Sequence, residues 1–313
     1  MPLRLPLPLA TRKSPLALAQ AHLVQHALMT ALQAMPNDFP ILGLVSTGDR
    51  LTDRKLIDAG GKGLFTKEID EALLGSAAAI AVHSMKDVPT QLPDELVLAA
   101  ILEREDPRDV LLTADGSAQL SELPQGARLG TASLRRQAQA LAIRPDLEIV
   151  TLRGNVDTRL GKVRSGEVDA TFLARAGLKR LGRAEGDYAP CGLDTILPAA
   201  GQAAIGLVVR ADDVDAARAA SALNHLPSAL ALTAERAFLR ALDGSCRTPL
   251  AAYATINGDT LSIRGEALLP DGSERWQYQR SGSFVDAENL GRELGEAIKH
   301  AGGNRLASVI SAS

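Results

Sequence analysis

The sequence predicts an α/β fold that is completed by a smaller α+β module at the carboxyl end of the chain. From the amino terminus to about residue 210, short apolar runs alternate with helical stretches, a pattern typical of α/β domains. After Pro227 the pattern changes to one long amphipathic helix and then to apolar residues at every second position, which indicates a small antiparallel sheet. The length of 313 residues leaves room for two or three domains.

The first predicted unit begins with a strand that follows an irregular start containing three prolines. Further apolar runs of strand length lie at residues 41–45, 79–82 and 96–102. The charged segment 103–108 then contains a helix-breaking proline, so we place a domain boundary there.

A second α/β unit is expected from about Asp109 to Pro198. It also consists of short apolar runs that alternate with helical stretches. The apolar run at residues 201–209 follows it directly and is a candidate for a strand that returns to the first unit.

The third predicted unit is the smaller module. We expect a helix from Pro227 to about Leu242, strands at 250–254 and 261–264, and a final helix near 286–301. The predicted domain limits are 1–104 with about 202–222 returning, 105–201, and 223–313.

Composition excludes several classes of function. Aromatic residues make up only 3% of the chain and the formal net charge is −3, which argues against a protein that follows a nucleic-acid backbone. Two distant cysteines and five single histidines give neither a disulfide framework nor zinc-ligand spacing. No apolar run approaches the ~20 residues that cross a membrane. We therefore expect a cytoplasmic protein without a metal, a nucleic-acid partner or a membrane anchor.

Three loops share one design, in which a strand leads through basic residues into the start of a helix. They lie at residues 10–15, 130–136 and 152–159, and in the first of them Ser14 is a good helix cap with Pro15 at the first helical position. Helix amino termini bind anions, and arginine forks recognise carboxylates or phosphates. A single arginine is more often a solvated surface charge. Three such loops, expected at the carboxyl ends of strands, favour a crevice that binds a polyanion.

A possible catalytic acid follows the strand at 79–82. Asp87 lies next to Lys86, and a carboxylate beside an ammonium in a site that excludes water can move protons and stabilise cationic charge. The alternative is an ordinary aspartate that caps a turn.

The two cysteines are expected to differ. Cys246 lies in a turn of small residues beside Arg247, which favours the thiolate form, although an isolated cysteine is more often buried and inert. Cys191 is expected to be of that inert kind. The glycine-rich, charged segment 48–63 has the composition of a mobile lid.

The chain closely resembles one family, porphobilinogen deaminase, also called hydroxymethylbilane synthase. The resemblance runs in order from near the start to about residue 250. The matching stretches are ATRKSPLAL (10–18), GGKGLF (60–65), HSMKDVP (83–89), EREDPRD (103–109), SLRRQ (133–137), LRGNV (152–156), AGLKRL (176–181) and TAER (233–236).

The resemblance implies two lobes like those of periplasmic binding proteins and a third domain that carries a cofactor cysteine. It implies a transferase that joins four porphobilinogen molecules head to tail, each with loss of ammonia, and releases hydroxymethylbilane by hydrolysis. The primer is a dipyrromethane cofactor that is held by a thioether, here at Cys246. We expect a monomer whose product passes to uroporphyrinogen-III synthase.

The resemblance also implies residue roles. Asp87 is the proton shuttle. The cofactor-side contacts are Ser84, Lys86, Thr131, Ser133, Arg135 and Arg136. The substrate and chain-holding set is Arg12, Ser14, Arg153, Arg159 and Arg180. Lys62 and Phe65 belong to the lid.

Four positions depart from the family's usual pattern. Ser245 replaces a glycine before the cofactor thiol, and Arg247 follows that thiol at a position that is often uncharged. Ala132 replaces a common serine, and Ala203 replaces a usual glycine. No departure removes the thiol or a charge, so we expect an active enzyme.

Two alternatives remain open from the residues. The first is a binding protein for anions with the same two lobes, which would need no thiol in its third module. The second is a hydrolase or transferase with a cysteine nucleophile, although no histidine lies in a recognisable motif for one. Release of ammonia from porphobilinogen separates the deaminase from both.

Overall fold

The computed structural model of the chain describes residues 3–50, 63–183, 188–243 and 248–311. The chain divides into two compact units. The first consists of Met1–Glu105 with Ala204–Ala229, and the second of Asp106–Ala203 with Leu230–Ser313. The chain therefore passes from the first unit to the second, returns, and enters the second unit again.

The described residues contain short strands and a set of mostly short helices. The strands are β1 (Leu9–Arg12), β2 (Ile41–Leu44), β3 (Ile80–Ser84), β4 (Leu96–Ile101), β5 (Asp109–Thr113), β6 (Gly116–Ser117), β7 (Arg128–Gly130), β8 (Glu148–Val150), β9 (Ala170–Ala174), β10 (Ile205–Arg210), β11 (Leu250–Asn257), β12 (Thr260–Leu268) and β13 (Arg275–Ser283). The helices are α1 (Pro15–Leu32), α2 (Thr47–Arg50), α3 (Lys67–Leu74), α4 (Leu134–Ile143), α5 (Val156–Arg164), α6 (Arg175–Arg180), α7 (Val214–Ser221), α8 (Leu226–Ala241) and α9 (Ala287–Ser311).

The first unit is built on a five-stranded sheet with the order β2-β1-β3-β10-β4. Strand β1 is parallel to β2 and β3, so the carboxyl ends of these three strands lie at one edge of the sheet. Strand β10 is antiparallel to β3 and β4. The run of residues that suggested a returning strand is thus a member of the first sheet.

Helices cover both faces of this sheet. Leu9 packs in the same core as Leu28 of α1, whereas the next residue, Ala10, packs with Leu73 of α3. Successive side chains of a strand point to opposite faces, which explains why the strands read as continuous apolar runs.

The second unit contains a five-stranded sheet with the order β6-β5-β9-β7-β8. Strand β7 is parallel to β8 and β9, whereas β5 is antiparallel to β9. Leu129 and Phe172 pack with Ala140 of α4, and Leu173 packs with Leu160 of α5 on the other face. The loops after β7, β8 and β9 therefore begin at the same edge.

The same unit contains a three-stranded antiparallel sheet with the order β11-β12-β13. Phe238 of α8 and Leu294 of α9 pack in one core with Ile263 of β12. The predicted α/β fold with a small antiparallel sheet near the carboxyl end is confirmed.

Two details of this last region differ from the sequence prediction. The final helix was expected to end near residue 301, but α9 extends to Ser311 across an interruption at Gly303, whose φ is +50°. The chain resumes a helix after this interruption, and Leu306 in the resumed part is buried. Strand β13 was also missed by the prediction; it lies at an edge of the sheet and none of its residues is fully buried.

Candidate active site

In the first unit, the loop after β1 has the local structure that its sequence predicts. Ser14 caps α1, because its Oγ accepts a hydrogen bond from the Ala17 amide at 3.4 Å, and Pro15 is the first helical residue. Arg12 is the last residue of β1. This arrangement places a guanidinium beside the amino terminus of a helix.

Arg12 lies close to both Asp87 and Phe65. Its Nη1 is 3.9 Å from Oδ2 of Asp87, and its guanidinium carbon lies 4.4 Å from the centre of the Phe65 ring. The Asp87 side chain keeps 33% of its surface exposed. Because β1 and β3 are parallel neighbours, the strand ends bring the arginine and the acid together although they are distant in sequence.

A glycine makes room for the aromatic ring. A Cβ atom at Gly48 would overlap the Phe65 ring, so only glycine fits at this place in α2. Phe65 then lies over Arg12 in a cation–π contact. Lys62, which the resemblance assigns to the same lid, lies outside the described residues, as does most of the segment expected to form it.

The turn after β3 holds several polar residues of the family motif. Asp87 ends the 3₁₀ turn Met85–Asp87, in which Lys86 is partly buried. Ser84 donates a hydrogen bond to Oε1 of Gln20 at 2.9 Å. His83 is buried, and its burial followed by the positive charge of Arg12 lowers its pKa to about 4. A neutral imidazole therefore lies beside the arginine–aspartate pair at neutral pH.

In the second unit, the loop after β7 forms a capped helix start. Ser133 caps α4 by accepting from the Arg136 amide at 3.4 Å, and the amide of Ser133 donates to Oγ1 of Thr131 at 3.1 Å. Both hydroxyl groups therefore take part in shaping the first turn. Ala132 between them is exposed.

The paired arginines of α4 are buried, unlike the loop arginines that the sequence suggested. Nη2 of Arg135 and Nη2 of Arg136 each donate to one oxygen of Asp109, both at 2.8 Å. Their Nη1 groups donate to the carbonyl oxygens of Leu197 at 2.8 Å and Phe172 at 2.9 Å. Burial alone would raise the pKa of Asp109, but the two guanidiniums hold it well below its usual range.

The loop after β8 positions two further arginines. Arg153 precedes Gly154, whose φ of +112° is a conformation that favours glycine. Asn155 caps α5, and Nε of Arg159 donates to the Gly154 carbonyl at 3.0 Å. Burial, and then the positive charge of Arg136, lower the pKa of Arg159 to about 10. Arg159 and Arg136 thus repel each other across a cationic site.

Arg180 ends α6, and its Nη2 donates to the carbonyl oxygen of Ala203 at 2.6 Å. Ala203 has a φ of +71°, in the left-handed region where the family's usual glycine is favoured. Arg180 therefore contacts the segment that leads back to the first sheet.

Three polar residues with structural roles at these sites were missed by the sequence analysis. Asp109 holds the paired arginines, Gln202 donates to Asp109 at 2.9 Å, and the buried Glu235 accepts from the amides of Gly201 at 2.7 Å and Ala254 at 2.8 Å. Two signals were available. Asp109 is a lone acid at the start of an apolar strand, and Glu235 is the acid of the TAER motif within an amphipathic helix.

Only one of the two cysteines lies among the described residues. Cys246 lies outside the described residues, together with its neighbours Ser245 and Arg247. Cys191 has a free thiol, and its burial followed by the negative charge of Asp109 raises its pKa to about 11. The Cys191 thiol therefore stays protonated and unreactive at neutral pH.

The described part of the chain has neither a metal-binding cluster nor a membrane-spanning helix. No group of three or more histidine, cysteine or acidic side chains in it is placed to bind a metal ion. None of its helices is long and apolar enough to cross a membrane.

Comparison with protein families gives two matches that together span most of the chain. Residues 7–218 match the family model described as "Porphobilinogen deaminase, dipyromethane cofactor binding domain". Residues 229–300 match the model described as "Porphobilinogen deaminase, C-terminal domain".

Two curated relatives cover about 95% of the chain at about half identity. The porphobilinogen deaminase of Paracoccus denitrificans is 50% identical over 297 residues, which are 94% of this chain and 94% of that protein. The porphobilinogen deaminase of Nitrobacter winogradskyi is 48% identical over 298 residues, which are 95% of this chain and 94% of that protein. A periplasmic binding protein from Brucella ovis, solved with glutathione bound, is 14% identical with a TM-score of 0.40, covering 76% of this chain and 68% of that one.

Proposed function

Because this chain belongs to the porphobilinogen deaminase family, we propose specific roles in that reaction for the residues described above. The enzyme is a transferase with a dipyrromethane cofactor. It joins four porphobilinogen molecules head to tail with loss of one ammonia from each, and it releases hydroxymethylbilane by hydrolysis. Every unit brings carboxylate groups, so the site has to bind a growing polyanion.

Asp87 is the proton shuttle, and the observation that carries this role is its contact with Arg12. The carboxylate is partly exposed and has one described ion pair, at 3.9 Å, so it can exchange a proton without breaking a tight network. It gives a proton to the amino group that leaves and later takes the proton from the pyrrole carbon that has formed the new bond. Arg12 keeps the carboxylate oriented, and the Phe65 ring shields one face of Arg12.

The donors of the second unit fit the carboxylates of a dipyrromethane. Nε of Arg136 is buried and has no hydrogen-bond partner among the described residues. The cationic Arg159 lies near it with a pKa lowered by burial and by Arg136 itself. An anion between two such cations would relieve both the missing hydrogen bond and the repulsion.

The cofactor-side residues are those that the family motif supplies. Bound through Cys246, the dipyrromethane would supply the primer on which the chain grows. The cofactor-side contacts that we assign are Thr131, Ser133, Arg135 and Arg136, together with Ser84 and Lys86. The lowered pKa of Arg159 and the unfilled donor of Arg136 support this assignment.

The substrate and the growing chain are held by Arg12, Ser14, Arg153, Arg159 and Arg180. Charge-assisted hydrogen bonds from arginine to carboxylate contribute about 1.5–3 kcal/mol each, so several together retain the intermediate between rounds. Lys62 and Phe65 cover the site as a lid.

The chain is organised in three domains, and the enzyme works with one further enzyme. The molecule consists of two α/β lobes and a third domain that carries Cys246, with limits near 1–104 plus 202–222, 105–201 and 223–313. The separate antiparallel sheet β11-β12-β13 supports the third domain. The enzyme works in the cytoplasm as a monomer and passes its product to uroporphyrinogen-III synthase.

Intact-mass spectrometry of the purified protein tests this proposal. The wild-type protein is expected to be heavier than its sequence by two pyrrole units, and Cys246→Ser is expected to lose the increment and the release of ammonia from porphobilinogen. Cys191→Ser is the matched control, because its protonated thiol has no role in attachment. A protein without the increment that still turns over porphobilinogen would contradict the proposal.

A further inference from the structure

A single buried carboxylate joins the paired arginines to the segment that leads back to the first sheet. Asp109 is fully buried at the start of β5. Its Oδ2 accepts from Arg135, and its Oδ1 accepts from both Arg136 and Gln202. Gln202 also donates to the carbonyl oxygen of Pro107 at 2.6 Å.

These contacts fix the direction of both guanidiniums. Each arginine has one Nη on Asp109 and the other on a main-chain carbonyl, so neither fork can rotate without breaking a hydrogen bond. An arginine side chain that is already immobilised loses little further entropy when it binds a ligand. If Asp109 were absent, each fork would retain only its carbonyl partner among these contacts.

By its charge alone, Asp109 would weaken anion binding at the arginine pair. Its negative charge partly neutralises the arginine pair, so it reduces the attraction of the site for any anion. Asp109 is in addition held in its charged form by the two guanidiniums, which keep its pKa well below the usual range. A residue that weakens the electrostatic attraction is useful to an anion site only if it improves the geometry.

We propose that Asp109 is a positioning residue that aims Arg135 and Arg136 at the carboxylates of the dipyrromethane and ties the pair to Gln202. The proposal rests on the cofactor-side role given above to the two arginines. Asp109 itself does not contact the cofactor. It acts through the arginines. Its third partner, Gln202, links the triad to the segment that returns to the first sheet.

Two substitutions separate geometry from charge. Asp109→Asn removes the negative charge, and Asp109→Glu keeps the charge but moves the carboxylate by one methylene group. If Asp109 only balanced charge, the asparagine variant would bind porphobilinogen and cofactor more tightly and the glutamate variant would be unchanged. If Asp109 positions the forks, both variants lose cofactor loading and show a higher KM for porphobilinogen, by about 10- to 100-fold for a displacement near 1 Å.

The readouts are the fraction of purified protein that carries the increment of two pyrrole units, and the separate values of KM and kcat for porphobilinogen. Asp106→Asn is the matched control, because Asp106 also bonds two arginines, Arg108 and Arg175, but is partly exposed. We expect its loading and KM to remain those of the wild type. Gln202→Met, which removes the hydrogen bonds to Asp109 and Pro107 but no charge, is expected to give a smaller loss in the same direction.

Each result bears on one claim. If Asp109→Asn does not fold, Asp109→Glu and Gln202→Met decide, and wild-type loading and KM in both would overturn the positioning role. A wild-type protein without the mass increment would instead overturn the proposed function. Full loading of Arg136→Leu would show that the arginine assignment is wrong.

Discussion

Two of the arginine–aspartate clusters among the described residues differ clearly in tightness. In the first unit, Arg12 lies 3.9 Å from Asp87, and both side chains are partly exposed. In the second unit, Arg135 and Arg136 each lie 2.8 Å from Asp109, which has no exposed surface. The first cluster is a loose pair and the second is a buried triad.

The difference shows how burial separates a reactive acid from a structural one. Removing one partner of a buried ion pair leaves an uncompensated charge and costs about 3–5 kcal/mol, whereas an exposed pair contributes about 0–1 kcal/mol. Asp109 cannot take up a proton without losing at least one of its arginine partners in a buried site, so it is unsuited to proton transfer. Asp87 can change its protonation state at little cost to the fold.

Asp87→Asn gives the most severe test of this comparison. We expect turnover of porphobilinogen to fall by about 10²- to 10⁴-fold, because the amide cannot transfer the protons. Thermal unfolding should change little, since the pair with Arg12 is loose and partly exposed. The exposed Asp94→Asn in the same unit is the control for both assays. Near-normal turnover in Asp87→Asn would show that another group is the acid.

Arg159→Gln tests whether the second unit, besides its buried triad, has an arginine that binds the substrate. We expect KM for porphobilinogen to rise by about 10- to 100-fold, which corresponds to loss of one charge-assisted hydrogen bond. The free energy of unfolding should not fall, because burial and Arg136 already disfavour the positive charge of Arg159. Arg164→Gln, on an exposed position of the same helix, should leave KM unchanged. An unchanged KM together with a large loss of stability would make Arg159 a structural residue.

The buried His83 near Arg12 predicts a pH dependence of stability for the first unit. His83 near Arg12 has a folded pKa of about 4, below its unfolded value of 6.5, so the folded state takes up a proton less readily. His83 therefore costs no stability above pH 6.5, where it is neutral in both states. The free energy of unfolding falls as the pH drops from 6.5 toward 4, because the unfolded state gains the proton first. We expect the wild type to lose about 2 kcal/mol more than His83→Gln between pH 7 and pH 5. Burial raises the pKa of Asp70 to about 6, but this effect is common to both proteins.

Denaturant unfolding of the two proteins at pH 7 and pH 5 measures that difference. The result concerns the first cluster, where Arg12 lies near both Asp87 and the buried His83. Parallel losses of stability in wild type and His83→Gln would show that the pKa of His83 is not lowered in the folded state.

The parts of the site that could be predicted are those with a signal in the nearby sequence. Ser14 was placed correctly as a helix cap, because a cap bonds an amide three residues away, and the loops at 130–136 and 152–159 lead into helices as expected. The approach of Arg12 to Asp87 follows from two parallel strands that end at one edge. These features depend on short-range chemistry or on a known sheet geometry.

The missed features depend on contacts between distant residues. Gln202 and Asp109 are 93 positions apart, and no pattern around either residue predicts their hydrogen bond. Strand β13 escaped notice because an edge strand with few buried residues has no clear alternation. The burial of Arg135 and Arg136 was missed for the same reason, since a basic pair ordinarily indicates a surface.

Ala203 offers the smallest expected effect, and it follows directly from a departure seen in the sequence. Its φ of +71° is disfavoured for a residue with a Cβ atom, and it adjoins Gln202, the third partner of the buried triad. Ala203→Gly is expected to raise the free energy of unfolding by about 0.5–1 kcal/mol, after the greater flexibility of glycine in the unfolded chain is subtracted. The neighbouring Ala204→Gly, without a positive φ, should lower it by a similar amount. If both variants lost stability, Ala203 would be packed well enough to outweigh its strain, and the returning segment would be held by its contacts with Arg180 and Asp109 instead of its backbone preference.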